Sequence, residues 1–521
     1  MPSSWSRIAV LLVPTLLVLA HALGFGTIEL FQRLDDIYYD ARLRLTMPRT
    51  LDERIVIVDI DERSLAAVGR WPWGRQVLAQ LTHELMTRQQ ARAMAFDVSF
   101  PEPDGSSGYA TLQRLARTVF AGDARFAQQV DALQATLDYD QVFAEALSGK
   151  PVVLGYYLTS DRGGYASGAL PAPLLTVAQL GQRAAFVRYD GYGGNLPLLQ
   201  DAAAGAGHMN PYSDVDGLIR RVPLLAQYHG ALYPALSLAL FRVLTDRPQV
   251  ELAWAHGRLS ALRLVQGTHE VDVPVSANGT TLIPYRGPAG PTGGSYRYYS
   301  AADVVQGKLA PGTLAGKVVL VGSTAPGLQD LRATPLSQAY PGVEIHANLL
   351  SGLLDGSIAH APDYTLGFEV AELLLLFGVM VLVLPRLGAL GQMLLSLGLL
   401  SVVIGTNWWL YTASALVLPV AAAALLTVLL YLTHVSHAFF VESRAKRQLT
   451  RLFGTYVPPE LVDEMARDPA QYSLAARNCE LSVMFCDIRD FTQLSETMPP
   501  EALRALVNQV FTLVSDAVRR R

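Results

Sequence analysis

The sequence predicts a membrane protein that combines an α/β domain, four transmembrane helices and the start of a second α/β domain. Three observations predict this architecture. Of the 521 residues, 51% are apolar and only 17% are charged, which is too apolar for an ordinary soluble protein. Long apolar runs occur near the N-terminus and again after residue 365. Between them, short β-type runs alternate with helical patterns, which favours helices packed on a sheet.

The first apolar run, residues 8–26, is predicted to be an uncleaved signal anchor that crosses the membrane. Arg7 precedes this run, and charged residues from Glu29 onward follow it. A cleaved signal peptide is the alternative. It is disfavoured because no small-residue cleavage site stands before Ile28.

Residues 28–362 are predicted to form the large α/β domain. A helical pattern covers Arg75–Leu85 and separates the first two of four strand-like runs. These runs are Ile55–Ile60, Ala93–Val98, Pro151–Leu158 and Lys317–Val321. The alternation favours a mixed or parallel sheet with helices on its faces. Both cysteines of the chain lie after this domain, so it folds without disulfides of its own.

Three further spans are predicted over residues 365–385, 388–406 and 412–436. Arg386 lies between the first two of these, and four basic residues between 444 and 451 follow the last. The break after 406 is uncharged and aromatic. Because basic residues favour the cytoplasmic side, both termini are expected inside and the large domain outside.

A cytoplasmic signalling helix and linker is predicted over residues 438–475. Its first part carries a helical seam of apolar or small residues, at Val441, Ala445, Leu449 and Leu452. A solvated connector is the alternative, and the sequence leaves the two open.

The last region, residues 478–521, is predicted to begin a second α/β domain. The apolar run Leu481–Cys486 is expected to form a buried strand that delivers Asp487 to a ligand. A polar turn follows, and Pro499 and Pro500 suit the start of an amphipathic helix. Strand, turn and helix then follow in order.

This region resembles the first metal-binding motif of class III nucleotidyl cyclases, whose catalytic domain is ferredoxin-like. The motif Phe-x-Asp-Ile-x-x-Phe-Thr falls on Phe485, Asp487, Ile488, Phe491 and Thr492. The resemblance implies that the Asp487 side chain and the Ile488 carbonyl help to hold two Mg²⁺ or Mn²⁺ ions. It also implies that Phe491 and Thr492 lie beside the phosphates of ATP or GTP. Such ions prefer oxygen ligands and stabilise the leaving pyrophosphate.

The catalytic set is not complete in this chain. Many members of that family have Gly at the position that Asp490 occupies here. If the Asp490 carboxylate faces the phosphates, its negative charge weakens nucleotide binding. In the alternative, its side chain faces the solvent. The family's second metal-binding Asp lies tens of residues beyond the first. We therefore expect the chain as written to be inactive alone, as a fragment or a natural truncation. The segment Phe453–Met465 resembles the one that precedes the catalytic domain in bacterial cyclases.

The large domain resembles the CHASE2 domain, an extracytoplasmic sensor module of bacterial cyclases, kinases and phosphatases. The resemblance is carried by Asp35–Asp40, Ile55–Leu65, Gly69–Arg75, Ala95–Asp104, Asp214–Gly217, Arg220–Pro223, Gly316–Ala325 and Asp330–Asn348. It implies an extracytoplasmic ligand, which the sequence does not identify.

Four polar residues are candidates for that ligand site: Asp59, Asp61, Arg75 and Asp97. Carboxylates and an Arg at strand ends can clasp a small polar molecule. In the alternative interpretation Asp59 and Arg75 pair with each other. We expect Trp71 and Trp73 to pack a helix onto the sheet.

Together the resemblances imply a multi-pass sensor in the bacterial inner membrane, acting as a homodimer on a cyclase that makes cyclic AMP and pyrophosphate from ATP. The alternative is a non-catalytic CHASE2 sensor that pairs with intact partners. A net charge of −4 without a basic stripe argues against a nucleic-acid partner. Few charges inside the spans argue against an ion-coupled transporter.

Overall fold

The computed structural model describes residues 4–26, 28–160, 163–176, 185–325, 327–328, 330–453, 480 and 482–520. Contacts divide the chain into two compact units, Met1–Val441 and Glu442–Arg521. The first unit contains the large α/β domain and the candidate membrane helices.

The large domain is built on a sheet of eight strands. Across the sheet these are β17 (Arg297–Ser300), β1 (Ile55–Ile60), β18 (Val318–Ser323), β2 (Ala93–Phe96), β3 (Val152–Thr159), β7 (Gly191–Gly193) and β4 (Ala166–Ser167), with β8 (Gly205–His208) also paired to β3. All four predicted strands are present, and β1, β18, β2 and β3 run parallel to one another. The pair β3–β7 is antiparallel, so of the predicted mixed or parallel sheet the described residues form the mixed type.

Successive residues of the central strands enter two separate hydrophobic cores. In β1, Ile55 and Ile57 belong to one core, whereas Val56 and Val58 belong to the other. All six residues of this strand are buried, as expected for a parallel strand that is covered on both faces. Helices of the domain cover the two faces of the sheet.

The helices of the domain are α3 (Glu62–Val68), α4 (Arg75–His83), α5 (Tyr109–Arg117), α6 (Ala124–Ala132), α7 (Gln134–Leu137), α8 (Tyr139–Leu147), α9 (Pro197–Ala202), α10 (Leu236–Leu244), α11 (Ala301–Val305) and α12 (Gly342–Asp355). A π-helical turn, Glu84–Arg88, extends α4. Helices α10 and α12 pack in the hydrophobic core that contains Ile55. Helices α4, α8 and α11 pack in the core that contains Val56. The helix predicted over Arg75–Leu85 is therefore confirmed.

Four smaller sheets complete the domain. Their strands, in chain order, are β5 (Leu175–Thr176), β6 (Arg188–Tyr189), β9 (Tyr212–Ser213), β10 (Ile219–Pro223), β11 (Leu225–Tyr228), β12 (Ala231–Pro234), β13 (Gln249–Ala255), β14 (Arg258–Gln266), β15 (His269–Pro274), β16 (Thr280–Leu282), β19 (Leu331–Arg332) and β20 (Tyr340–Pro341). They are grouped as β16-β10-β9, β5-β12-β11-β6, β13-β14-β15 and β19-β20.

Three helices in the described residues are long and apolar enough to cross a membrane. They are Thr365–Arg386, Ala389–Ser414 and the first part, Ala421–Phe440, of a longer helix. They correspond to α13 (Thr365–Val383) with a following 3₁₀ turn, α14 (Ala389–Ser414) and α15 (Ala421–Phe453). The predicted first span forms α1 (Ser4–Ala22), but its apolar part, Ile8–Ala22, is shorter than these. Its crossing of the membrane stays a prediction.

The turn between α14 and α15 lies later than the aromatic break in the sequence predicts. Helix α14 continues through Asn407, and the turn occupies residues 415–420. The Asn407 side chain is buried and accepts a hydrogen bond from Arg42. It also donates to the Leu418 carbonyl, so this polar residue is satisfied inside a helix and does not break it.

In the second unit, the predicted buried strand at Leu481–Cys486 is wrong for residues 482–486. They form no strand and are exposed, with Phe485 95% exposed. The physical reason is that no strand in the described part of this unit pairs with their backbone. Two helices follow, α16 (Phe491–Thr497) and α17 (Pro500–Arg519), and the latter confirms the predicted helix start at Pro500.

The predicted signalling segment is only partly described. Residues 438–453 are helical because α15 continues to Phe453, whereas residues 454–475 lie outside the described residues.

Asp490 adopts the left-handed conformation, with φ of 57°, which Asp tolerates better than most residues.

Candidate functional site

The carboxyl ends of three adjacent parallel strands meet at one edge of the main sheet. Asp59 stands near the end of β1, Asp97 directly follows β2, and Thr324 directly follows β18. Ligand sites of α/β sheets are commonly found at such an edge. The four sensor candidates, however, do not form one cluster there.

Asp59 is held by Thr324. Its Oδ1 atom accepts from the Thr324 backbone N–H at 2.8 Å, and its Oδ2 atom accepts from the Thr324 hydroxyl at 2.5 Å. Burial raises the pKa of Asp59 to about 6, although the bonds from Thr324 act in the opposite direction. This carboxyl group therefore joins the ends of β1 and β18.

Asp61 has a structural role at the start of α3. Its Oδ1 atom accepts from the Ser64 backbone N–H at 2.8 Å, which is the geometry of a helix N-cap. The same atom accepts from the hydroxyl of Ser300 at 2.8 Å. These bonds occupy the Asp61 carboxylate, which the sequence analysis predicted as a ligand-binding group.

Arg75 lies beside Asp140 and not Asp59, so the alternative interpretation, in which Asp59 and Arg75 pair, is wrong. Its guanidinium lies 3.5 Å from Asp140, donates to the Glu102 carbonyl at 3.1 Å and stacks over the ring of Phe100. The reason is positional: Arg75 begins α4, whereas Asp59 is turned toward β18.

The two tryptophans pack as predicted. Trp73 is buried and Trp71 packs edge-to-face against it, with ring centroids 5.4 Å apart. Trp73 belongs to the hydrophobic core that α4 shares with the sheet, and the partly buried Trp71 packs against this core. They take no part in a polar site.

Asp97 lines a cavity of about 90 Å³ together with Asp330, Arg332 and His346. The Asp97 carboxylate lies 3.6 Å from His346 Nε2, and both side chains are buried. Asp330 lies 3.5 Å from the Arg332 guanidinium. Apolar side chains and Gly342 form most of the remaining wall, so the four polar groups line one partly open cavity.

The protonation of these groups follows from their burial. Burial raises the pKa of Asp97 to about 7. Burial and the neighbouring charge of Asp97 raise the pKa of Asp330 to about 7. Burial lowers the pKa of His346 to about 4, so this imidazole is neutral at physiological pH. At pH values between about 4 and 7, these two carboxyl groups therefore hold protons that free aspartates release.

Sequence analysis identified Asp97 and missed its three partners. Asp330, Arg332 and His346 belong to the Asp330–Asn348 segment that carries the family resemblance, but that segment was not considered as a site. The available signal was the occurrence of charged and imidazole side chains at Asp330, Arg332 and His346, from the residue before β19 to the second turn of α12. Their proximity to Asp97 depends on the pairing of β2 with β18 and on α12 packing over them.

Helix α2 (Glu29–Thr46) joins this domain to the candidate membrane helices. Its Tyr39 and Leu43 belong to the core of the α/β domain, whereas Phe31 belongs to the core of the candidate membrane helices. Asp40 receives two hydrogen bonds of 2.8 Å from the buried Arg220 of β10. Asp35 accepts from the first backbone N–H of α15, that of Ala421, at 2.9 Å.

The predicted cyclase residues lie in the second unit. Asp487 is exposed, and its Oδ1 atom accepts from the Ile488 backbone N–H at 2.9 Å. Phe491 and Thr492 begin α16. No group of three or more His, Cys, Asp or Glu side chains in the described part of the chain is placed to hold a metal ion. The Mg²⁺ or Mn²⁺ site therefore stays a prediction.

Comparison with known proteins identifies the family of this chain. The CHASE2 domain model matches residues 9–385, which include most of α1, α2, the α/β domain and α13. No curated protein and no solved structure matches the chain. The matched part covers most of the chain, and the chain therefore belongs to the CHASE2 domain family, a family of extracellular sensor domains in signalling proteins.

Proposed function

We propose that this chain is the membrane-bound sensor of a class III nucleotidyl cyclase that converts ATP into cyclic AMP and pyrophosphate. In this proposal a ligand binds in the cavity of Asp97 and His346 outside the bacterial inner membrane. Helix α2 transmits the change to the membrane helices, and α15 carries it to the cytoplasmic side. GTP is the alternative nucleotide, and a homodimer is the expected assembly.

The attachment of α2 on both of its sides is the observation that carries the proposal. On the side of the sensor, Arg220 binds Asp40 with two hydrogen bonds and also contacts Asp214 and Asp216. The Arg220 side chain is 1% exposed. A buried Arg with three carboxylates around it holds one geometry, because any shift leaves a charge without its partner.

On the side of the membrane helices, Arg42 of α2 is buried, donates to Asn407 of α14 and lies over the rings of Tyr38 and Tyr411. The hydroxyl of Tyr38 donates to the Ile404 carbonyl of α14 at 3.1 Å. A displacement of α2 therefore acts directly on α14.

Asp35 provides a second connection, to α15. It accepts hydrogen bonds from the N–H groups of Val420 and Ala421, at 2.7 and 2.9 Å, at the helix N-terminus. A carboxylate there is favoured by both the unpaired N–H groups and the helix dipole. Because α15 continues to Phe453, a displacement of its first turn is carried along one helix.

The cyclase output is supported by the motif on Phe485–Thr492 and by the helices that follow it. Asp487 and the Ile488 carbonyl would hold Mg²⁺ or Mn²⁺, which neutralise charge on the triphosphate. Four basic residues between 444 and 451 lie in the part of α15 that follows its apolar part, Ala421–Phe440, and the turn before this helix is uncharged; both support a cytoplasmic C-terminus.

A second function is favoured by the exposed segment 482–486, which forms no strand. In that case the chain is a non-catalytic sensor that acts by pairing with intact cyclase subunits. The motif residues would then have no metal to hold.

The experiment expresses the chain in bacteria without cyclases of their own, alone and with any continuation of its reading frame. Cyclic AMP and cyclic GMP are measured in both cases. We expect no product from the chain alone and cyclic AMP from the continued frame. No product in either case contradicts the cyclase output and favours the second function. A reporter fused near Gln200 should be extracytoplasmic, and a cytoplasmic signal would overturn the topology.

A further inference from the structure

A second cavity lies where the α/β domain meets the candidate membrane helices. Its volume is about 160 Å³, and it is partly open. Helix α2 contributes Tyr39 and Thr46 to its lining, α12 contributes Gly352, and α14 contributes Tyr411. The cavity of Asp97 shares no lining residue with it. This is therefore a separate site, bounded both by the helix that leaves the sensor domain and by a candidate membrane helix.

Most of the wall of this junction cavity is apolar. Its apolar lining includes Leu43, Met47, Leu282, Ile283 and Pro284. An apolar cavity of about 150 Å³ is known to hold one benzene molecule. The volume here is similar, so the junction cavity accommodates a single six-membered ring.

Two of the hydroxyl groups in the lining are already bonded to the protein backbone. The Thr46 hydroxyl donates to the Arg42 carbonyl at 2.8 Å. The Tyr285 hydroxyl donates to the Ile219 carbonyl at 2.7 Å. Neither group needs a ligand to satisfy its donor.

Arg286 is the charged residue of the lining, and its charge is already paired. Its guanidinium donates to the Ser351 hydroxyl at 3.1 Å, to the Thr50 hydroxyl at 3.1 Å and to the Asp355 carboxylate at 3.4 Å. The Ser351 hydroxyl in turn donates to Asp52 at 2.7 Å. The Arg286 Nε atom has no partner in the described residues, but it is buried and does not face the cavity. This arrangement favours a neutral ligand over an anion.

The Tyr39 hydroxyl is the exception among these polar groups. Tyr39 is 5% exposed and lines the cavity. Its hydroxyl makes no hydrogen bond in the described part of the chain, yet it is not among the fully enclosed polar atoms and so keeps accessible surface. Hydroxyls on buried side chains are nearly always paired. The cavity therefore presents one unpaired hydroxyl beside the Tyr411 ring, whose centroid lies 6.4 Å from that of Tyr39.

We propose that the junction cavity binds a neutral one-ring aromatic molecule of the phenol class, whose polar group bonds to the Tyr39 hydroxyl. The ring packs on the apolar wall and on the rings of Tyr39, Tyr285 and Tyr411. A lipid acyl chain fits the apolar wall but has no group that can bond to the hydroxyl. The inference goes beyond the function proposed above, because it adds a second ligand site that does not depend on a cyclase output.

A ligand in this position acts on the connection between the two parts of the molecule. It contacts α2, α12 and α14 at once, and these helices surround the cavity. Binding to the folded chain alone stabilises it, so a bound ring strengthens the packing of the sensor domain on α14.

The experiment is a titration of the full chain in lipid nanodiscs at pH 7, followed by fluorine NMR. The probes are 4-fluorophenol and fluorobenzene, which differ by the hydroxyl group. Nanodiscs without protein give the partition of each probe into lipid. We expect saturable binding of 4-fluorophenol, about fivefold tighter than that of fluorobenzene, because one hydrogen bond contributes an effect of this size.

Tyr39→Phe should remove the preference, so that the two probes bind equally. Its thermal midpoint should stay unchanged, because the hydroxyl that is lost makes no hydrogen bond within the described residues. Tyr285→Phe is the matched control, since Tyr285 lines the same cavity but its hydroxyl is bonded to Ile219. It should keep the fivefold preference and lower the thermal midpoint, because the buried Ile219 carbonyl loses its donor.

Three results would overturn the proposal. They are no saturable binding of 4-fluorophenol, equal affinity of the two probes for the unmodified chain, and a preference that Tyr39→Phe retains. Occupation of the cavity by a lipid acyl chain would give the first of these. The comparison of the two probes on the unmodified chain depends on no variant. None of the readouts involves cyclic nucleotides, so failure of the proposed cyclase output would leave this test unaffected.

Discussion

Substitution of Arg220 by Met tests whether α2 is fixed to the sensor domain by a buried ion cluster. The side chain is 1% exposed and donates to Asp40 twice at 2.8 Å. Its loss leaves the Asp40 carboxylate, whose side chain is 8% exposed, without its cation, whereas Asp214 keeps its ion pair with Arg221 at 2.8 Å. Breaking a buried pair in this way typically costs about 3–5 kcal/mol, because a buried charge is left uncompensated.

Arg263→Met is the matched control. Arg263 also makes two hydrogen bonds to one carboxylate, that of Asp272, at 2.8 and 3.0 Å. This pair lies on the surface, with side chains 39% and 48% exposed. Surface ion pairs contribute little to stability, so the control should unfold like the unmodified chain.

Thermal unfolding of the purified chain in nanodiscs, followed by circular dichroism, is the assay. Arg220→Met should lower the midpoint by on the order of 5–10 °C, and Arg263→Met should leave it nearly unchanged. Adding Asp40→Asn to Arg220→Met should recover part of the loss, because one uncompensated charge is removed. Equal midpoints for the two single variants would refute the argument that the Arg220 cluster is buried and fixes α2.

Three further predictions concern the sensor and its connection to the membrane helices. Asp97→Asn should stabilise the chain at pH 8 by on the order of 3 kcal/mol and have little effect near pH 4. Burial raises the pKa of Asp97 to about 7, so the unmodified chain keeps its stability while this carboxyl is protonated and loses it as the pH rises through about 7. Thermal midpoints of both chains measured against pH test this prediction, and a difference between them that does not change with pH would contradict it. Asp35→Ala should lower the thermal midpoint by removing the cap of α15, at a cost of about 1 kcal/mol, whereas Asp35→Asn should retain most of it; equal losses would argue against capping. Gly207→Ala should destabilise by about 1–3 kcal/mol in urea unfolding, because its Cβ would lie 2.5 Å from the backbone of Leu236. Gly205→Ala in the same strand, where the nearest atom is 3.7 Å away, should be neutral, and similar losses would contradict the steric argument.

The parallel core of the sheet was predictable because its local signals agree with the fold. Strand β1 is a short apolar run in which every residue is buried, so composition alone identifies it. The helix after Gly74 and the packing of Trp73 were equally accessible. The strand predicted at Leu481–Cys486 failed for the opposite reason, since an apolar run forms a strand only where neighbouring strands pair with its backbone.

The candidate site was predictable only in part. Asp97 follows an identifiable strand, and strand ends are where α/β domains bind ligands. Asp59 and Asp61 satisfy the same rule, yet they bind Thr324 and cap α3 instead. Strand position alone does not distinguish a free carboxyl group from one that protein groups already occupy.

The sequence by itself determined the apolar segments, the α/β class of the large domain and its membership of the CHASE2 family, because each depends on local composition and residue order. The tertiary structure decided which charges meet. Asp97 with His346 and Asp40 with Arg220 are brought together by strand order and helix packing across long stretches of chain. Burial then sets their protonation and strength, since the cost of a buried charge depends on its surroundings and not on its neighbours in sequence.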